Sequence, residues 1–214
     1  MPLNELLALL LLATTMTFTP GPNTVLVTAL AARHGLRAAL PFCLAVPSGW
    51  LLLMAAVASG VGALVAAEPA LRGALKLLGL AYLLSLAWRL ARAEAGPAAT
   101  PTREQPLGYR EGVLLQFLNL KAWMFALTLS AGWVLPRPGE EGTALPRLLT
   151  VLAVMAFYGF GSNFSYAVLG AALRGWLAGG PVPGRRMRRF NRVSALLLAL
   201  TALWMLRFDG PVPG

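Results

Sequence analysis

The chain has 214 residues, 57% of them hydrophobic and only 12% charged, whereas soluble domains carry about twice that share of charge. With a mean hydropathy of +0.68, it cannot cover a soluble surface, which excludes a soluble enzyme, a disordered tail and a nucleic-acid-binding domain. The net charge of +10 comes from sixteen arginines and two lysines set mostly in short segments between long apolar runs, the pattern by which membrane proteins fix their orientation.

Six apolar stretches approach or exceed the roughly 20 residues that a helix needs to cross a bilayer, so the expected fold is all-α with six transmembrane helices. The first covers about 6–32 and is interrupted at Thr19-Pro20-Gly21-Pro22-Asn23. No basic residue precedes Arg33, so this stretch reads as a retained span and not as a cleaved signal peptide. Two prolines around a glycine remove donors and clash with the preceding turn, which must open the helix. In lipid the freed carbonyls need partners or a wet cavity. Kinks are common in membrane helices, but with Asn23 following at once the segment reads as a discontinuous helix at a substrate site.

The second and third spans cover about 38–66 and 70–90. The short turn between them makes them expected antiparallel neighbours. Lys76 lies in the third, four residues after Arg72, and either faces the interior or snorkels outward. The fourth span, about 112–135, is expected to be continuous and carries Gln116-Phe117-Leu118-Asn119-Leu120-Lys121. Lys121 is ten residues beyond Glu111, roughly 15 Å into the membrane at the helical rise. That is too deep to snorkel easily and costly to bury, so Lys121 reads as a substrate or ion contact. The alternative is a structural lysine held by asparagines and carbonyls. Spans five and six cover about 148–173 and 190–206, and the connections 95–110, 136–147 and 174–189 are polar or rich in Pro and Gly.

Depth links these residues. Asn23, Asn119 and Asn163 all fall roughly 13–17 Å from the same boundary if helical, with Lys121 and Lys76 slightly deeper. The expected site is therefore a mid-depth layer of Asn and Lys beside Pro20, Gly21 and Pro22. Interhelical glue is the competing explanation. Gly159, Gly161, Ser162 and Ser165 in span five read as close packing. All eight acids lie in connections or near span ends, so any proton coupling would run through a lysine or a water path. One cysteine, Cys43, and one histidine, His34, are too few for a zinc site or a disulfide framework; no metal and no cofactor are expected.

Twelve arginines fall in the connections 1–2, 3–4 and 5–6, against four on the other side. This bias puts those connections in the cytoplasm and both termini outside. Three spans per half would give two inverted repeats, about 1–95 and 108–208, within a single transporter domain spanning 1–214.

The ordered motifs resemble the LysE/RhtB family of amino-acid exporters over nearly the whole chain. Thr-Pro-Gly-Pro-Asn in the first span is followed by His34-Gly35-x-Arg37. The third span holds Lys76-Leu77-x-Gly79-x-Ala81-Tyr82-Leu83 and then Ala87-Trp88-Arg89, and the fourth holds Gln116-Phe117-x-Asn119-x-Lys121. With Asn163 and Asn191, the fourth-span motif looks most like the cysteine/O-acetylserine exporter branch. The resemblance implies export of small amino acids from the bacterial cytoplasm across the inner membrane, powered by the proton gradient or membrane potential, with room for a homo-oligomer. Two departures stand out. Leu120 replaces the proline of an Asn-Pro-Lys found in many members. Gly49-Trp50 replaces a Gly-Asp pair, which implies a pocket unlike those of the lysine or homoserine exporters. The alternatives are a membrane-embedded enzyme or assembly protein without transport activity, and a channel.

Overall fold

Proline, glycine and asparagine decide where the helices stop. The computed structural model describes residues 1–93, 106–136, 142–182 and 184–206, and no strand occurs among them. Helix α1 (Leu3–Phe18) stops before Pro20. Helix α2 (Pro22–His34) starts with Pro22 at its first position, where no backbone donor is required. Gly35 has a φ of 88°, a left-handed conformation that suits glycine, and it turns α2 into α3 (Leu36–Ala56) within one residue. A π-helical turn, Val57–Val61, contains Gly60 at φ 103° and leads to α4 (Gly62–Ala67). Glu68 alone separates α4 from α5 (Pro69–Arg92).

A second helix break follows further along the chain. Helices α6 (Tyr109–Leu118) and α7 (Leu120–Leu129) meet at Asn119, and a π-helical turn, Ser130–Val134, extends α7. Helices α8 (Ala144–Ala178) and α9 (Arg185–Leu206) complete the chain. By length and composition four helices, α3–α4, α5, α8 and α9, can each cross a membrane. The pair α1 and α2, bent by 49°, and the pair of α6 with α7 and its π turn, bent by 68°, each pass the same test together.

The fourth stretch is thus not continuous as expected: it breaks at Asn119. Helix α8 also runs on to Ala178, so Arg174 lies on a helix and the connection to α9 is shorter than 174–189. Of the charged residues used in the sequence argument, Arg103, Arg137, Arg207, Glu94, Glu104, Glu140, Glu141 and Asp209 lie outside the described residues.

Packing is dominated by three helix pairs, α2 with α8, α3 with α6, and α5 with α9. The expected pairing of the second and third spans is therefore corrected. Helix α5 leaves the α4 turn and lies against α9, while α3 is occupied by α6 and α8. Glycines allow the close approaches. A Cβ on Gly112 would lie 2.6 Å from the Ala45 Cβ, and one on Gly49 would lie 2.8 Å from the Val113 Cα. Gly170 abuts the Thr28 carbonyl of α2. Small residues bring membrane helices together because lipid tails supply no hydrophobic drive for association.

Buried apolar side chains form two clusters. One joins Phe42, Leu83, Leu115 and Leu198; the other joins Leu9, Leu53, Met54, Trp123 and Leu129. Large apolar side chains also cover the outside, with Phe157 78% exposed, as a lipid-facing surface requires. A buried ion pair joins the starts of α1 and α8: Arg147 lies 3.0 Å from Glu5, at 5% and 9% side-chain exposure. The Trp133 indole Nε1 donates to the Glu5 carbonyl at 3.0 Å, so three elements meet there.

If close backbone approach sets the α2–α8 pair, Gly170→Val should cost about 1–3 kcal/mol or more, because the obstacle is the Thr28 backbone. Size-exclusion profiles in detergent should show loss of the monodisperse species. Gly161→Ala, with nothing within 4 Å of the added carbon, should leave the profile unchanged.

Candidate functional site

The two helix breaks face a common cavity. At the first, the freed carbonyls of α1 have partners on α8. Ser162 Oγ donates to the Thr17 carbonyl at 2.7 Å, and the Tyr166 hydroxyl donates to the Phe18 carbonyl at 2.9 Å. On the other side of the break, the Gly21 N–H donates to Thr24 Oγ1 at 2.9 Å, a cap that starts α2. Ser162 was expected merely to pack; its hydroxyl instead satisfies the broken helix.

The second break has no proline. Asn119 takes an extended conformation and its Oδ1 accepts from the Lys121 N–H at 3.1 Å, which makes it the cap of α7. The Trp123 indole donates to the Phe117 carbonyl at 2.8 Å. The Leu118 carbonyl lies directly against Gly79 of α5. The Phe117 carbonyl and the Lys121 N–H freed on this side thus have partners, as the bilayer demands.

The cavity between the breaks has a volume of about 90 Å³, counted as space open to water centres. That is room for roughly half a dozen waters, or for a small zwitterion. Gly21, Pro22, Asn23, Asn119, Lys121 and Asn163 all line it. The depth argument therefore brought residues from α2, α7, α8 and the two breaks to one place. Pro20 and Lys76 do not line it. Pro20 is exposed and Lys76 is half-buried on α5, a helix committed to α9. Apolar walls come from Met16, Val46, Trp50, Phe125 and Met155, with the Trp50 and Phe125 rings 5.4 Å apart. Sequence reasoning touched Trp50 alone, through the Gly49-Trp50 departure, and missed the other walls.

Charge in the cavity is one-sided. Lys121 Nζ would lie 3.6 Å from a Cβ on Gly21, so the ammonium is poised over the first break. Among the described residues no acid lines the cavity, and the Lys121 ammonium has no hydrogen bond or ion pair. The N-termini of α2 and α7 meet here as well, and each carries partial positive charge. Asn23 and Gln116 exchange hydrogen bonds, Nδ2 to Oε1 at 3.0 Å and Nε2 to Oδ1 at 3.2 Å. Gln116 is fully buried and also donates to the Gly112 carbonyl. This pair ties α2 to α6 beside the cavity. Among the described residues no cluster of His, Cys, Asp and Glu could hold a metal ion.

Comparison with known proteins gives this geometry its family. Residues 14–207 match the LysE type translocators. The chain belongs to the LysE family. It is therefore a membrane transporter and not an enzyme. It is 29% identical to the cysteine/O-acetylserine efflux protein of Salmonella typhi over 87% of both chains. It is 30% identical to a protein of the same name from Klebsiella pneumoniae, over 71% of this chain and 74% of the relative. A third such protein, from Escherichia coli O9:H4, is 27% identical over 87% of both. No solved structure matches the chain.

If α8 satisfies the first break, the double variant Ser162→Ala with Tyr166→Phe leaves two carbonyls without donors. Each unsatisfied group costs about 1–3 kcal/mol. Thermal unfolding in detergent should shift down by several degrees. Ser165→Ala, whose hydroxyl bonds only within its own helix at Gly161, should leave it unmoved.

Proposed function

We propose that this LysE-family chain exports small neutral amino acids from the cytoplasm across the bacterial inner membrane. The observation that carries the reading is the cavity between two broken helices, with the Lys121 ammonium over one break and no acid beside it. An uncompensated cation at mid-depth is costly, and a substrate carboxylate relieves that cost. Lys121 and the N-termini of α2 and α7 then hold the carboxylate, as half-helix N-termini do in other transporters. Asn23, Asn119 and Asn163 orient the remaining polar groups, and Trp50, Phe125 and Met155 surround a short uncharged side chain. The names of the relatives favour cysteine and O-acetylserine as first substrates to test. The proton gradient or the membrane potential supplies the energy.

The proposed architecture is six spans in two inverted repeats, 1–95 and 108–208, with both termini outside. The packing supports it. Under exchange of the halves, the packing of the α1–α2 pair against α8 maps onto that of the α6–α7 pair against α3, and the α5–α9 and α3–α8 pairs map onto themselves. Each half also opens with a broken span. A reporter fused after Gly180 should read cytoplasmic and one fused after Gly142 periplasmic; the reverse pattern would invert the orientation.

Counterflow of labelled amino acids in proteoliposomes tests the function. Wild-type protein should exchange at least one of cysteine, O-acetylserine or a similar neutral amino acid. Lys121→Met keeps length and apolarity, and should stay inserted while losing transport by more than about tenfold, the loss expected with one charged hydrogen bond. Lys121→Arg should also fail, since the planar guanidinium does not replace a compact ammonium. Normal transport by Lys121→Met would remove Lys121 from the site.

A further inference from the structure

We infer that Asn163 recognises the substrate's α-ammonium group through its Oδ1, on the same cavity in which Lys121 holds the carboxylate. The inference rests on the exporter reading and adds to it the group that separates an amino acid from any other small acid.

The argument starts from how the amide is fixed. Asn163 Nδ2 donates to the Gly159 carbonyl, one turn earlier on α8, at 2.9 Å. A carbonyl only accepts, so the amide nitrogen must be the atom facing it. The oxygen is thereby turned off the helix, and its direction follows from chemistry. Asn163 is 7% exposed, and its Oδ1 is buried with no hydrogen-bond partner. A buried acceptor left unpaired is costly, and polar atoms are kept in that state where a ligand or solvent completes them.

The other amide oxygens and the hydroxyl hydrogens on the cavity are already engaged. Asn119 Oδ1 accepts from the Lys121 N–H. Asn23 Oδ1 accepts from Gln116. The hydroxyls of Thr17 and Thr24 donate to the carbonyls of Ala13 and Gly21, and that of Thr19 donates to the Thr15 carbonyl. Among the described residues that line the cavity, Asn163 Oδ1 is therefore the amide oxygen left over. The residues that line the cavity carry one uncompensated cation and one unpaired amide oxygen, the latter closed off until a side-chain movement opens it to a ligand. Their complement is a ligand with an anion at one end and N–H donors at the other, the pattern of a zwitterionic α-amino acid.

The test is selectivity between matched pairs that differ in the amine alone: serine with 3-hydroxypropionate, and cysteine with 3-mercaptopropionate under reducing conditions. Each competes against the labelled amino acid that counterflow identifies, with purified full-length protein in proteoliposomes. Wild type should favour the amino acid over its deamino partner by about tenfold or more, the size expected of a hydrogen bond to a charged group. Asn163→Leu should bring that ratio close to one while the deamino acids keep their own affinity, because Lys121 is untouched. Should Asn163→Leu fail to insert, Asn163→Ala removes the oxygen without adding bulk, and the same ratio decides. A ratio unchanged from wild type in the inserted variant overturns the role of Asn163 and leaves the exporter reading standing. Absence of exchange for every amino acid by wild type overturns both.

Discussion

A backbone group in hydrocarbon has no water to turn to, and the rest of this structure follows from that constraint. Two helix pairs are bent at a break, and each break frees carbonyls and amides that lipid cannot satisfy. The protein answers with side-chain donors and acceptors, some from neighbouring elements and some local. Ser162 and Tyr166 reach α1 from α8, while Thr24, Asn119 and Trp123 serve their own strand of the chain. Because α8 must lie close enough to bond two α1 carbonyls, it also brings Asn163 to the cavity. Glycines then become necessary: Gly170 lets α8 approach the Thr28 carbonyl, and Gly79 lets α5 approach Leu118. Satisfying the breaks and building the site are one problem with one solution.

The two ends of the bundle are closed by different means. On the side of α2 and α6, apolar packing around Phe42, Leu83 and Leu115 is joined by the Asn23–Gln116 exchange. On the side where α1 and α8 begin, the buried Glu5–Arg147 pair and Trp133 close the bundle. Breaking such a pair by removing one partner typically costs about 3–5 kcal/mol, whereas an amide pair can re-form bonds with water or substrate.

Much of the site was legible in the sequence because its signals are local. Pro20 and Pro22 announce the first break through covalent geometry. The shared depth of Asn23, Asn119, Lys121 and Asn163 follows from a constant helical rise, and the cavity gathers all four. The break at Asn119 was not legible, because a capping side chain and a tryptophan four residues further on do the work of a proline. Lys76 shared the depth and not the place: depth fixes one coordinate, and the commitment of α5 to α9 fixes the others. Glu5 and Arg147 lie 142 residues apart, and no local pattern joins residues at such separation. Helix neighbours were misjudged for a related reason, since a short turn fixes direction but not which face finds a partner.

The two bent helix pairs are alike in scheme and unlike in charge. Each break ends with a helix start, Pro22-Asn23 in one pair and Leu120-Lys121 in the other. The second residue of each helix therefore occupies a matching place, an amide in the first pair and an ammonium in the second. Two helix N-termini alone would make a weakly positive cavity. Lys121 makes it strongly so, and no acid on the lining cancels it. Under the proposed function, a site so biased draws in an anion, and the unpaired oxygen of Asn163 is the group that would demand an amine on the same molecule. The bulky apolar wall of Trp50, Phe125 and Met155 offers a charged side chain no partner of its own. The asymmetry between two otherwise similar helix pairs thus converts a pair of tolerated helix defects into a cavity with a defined polarity.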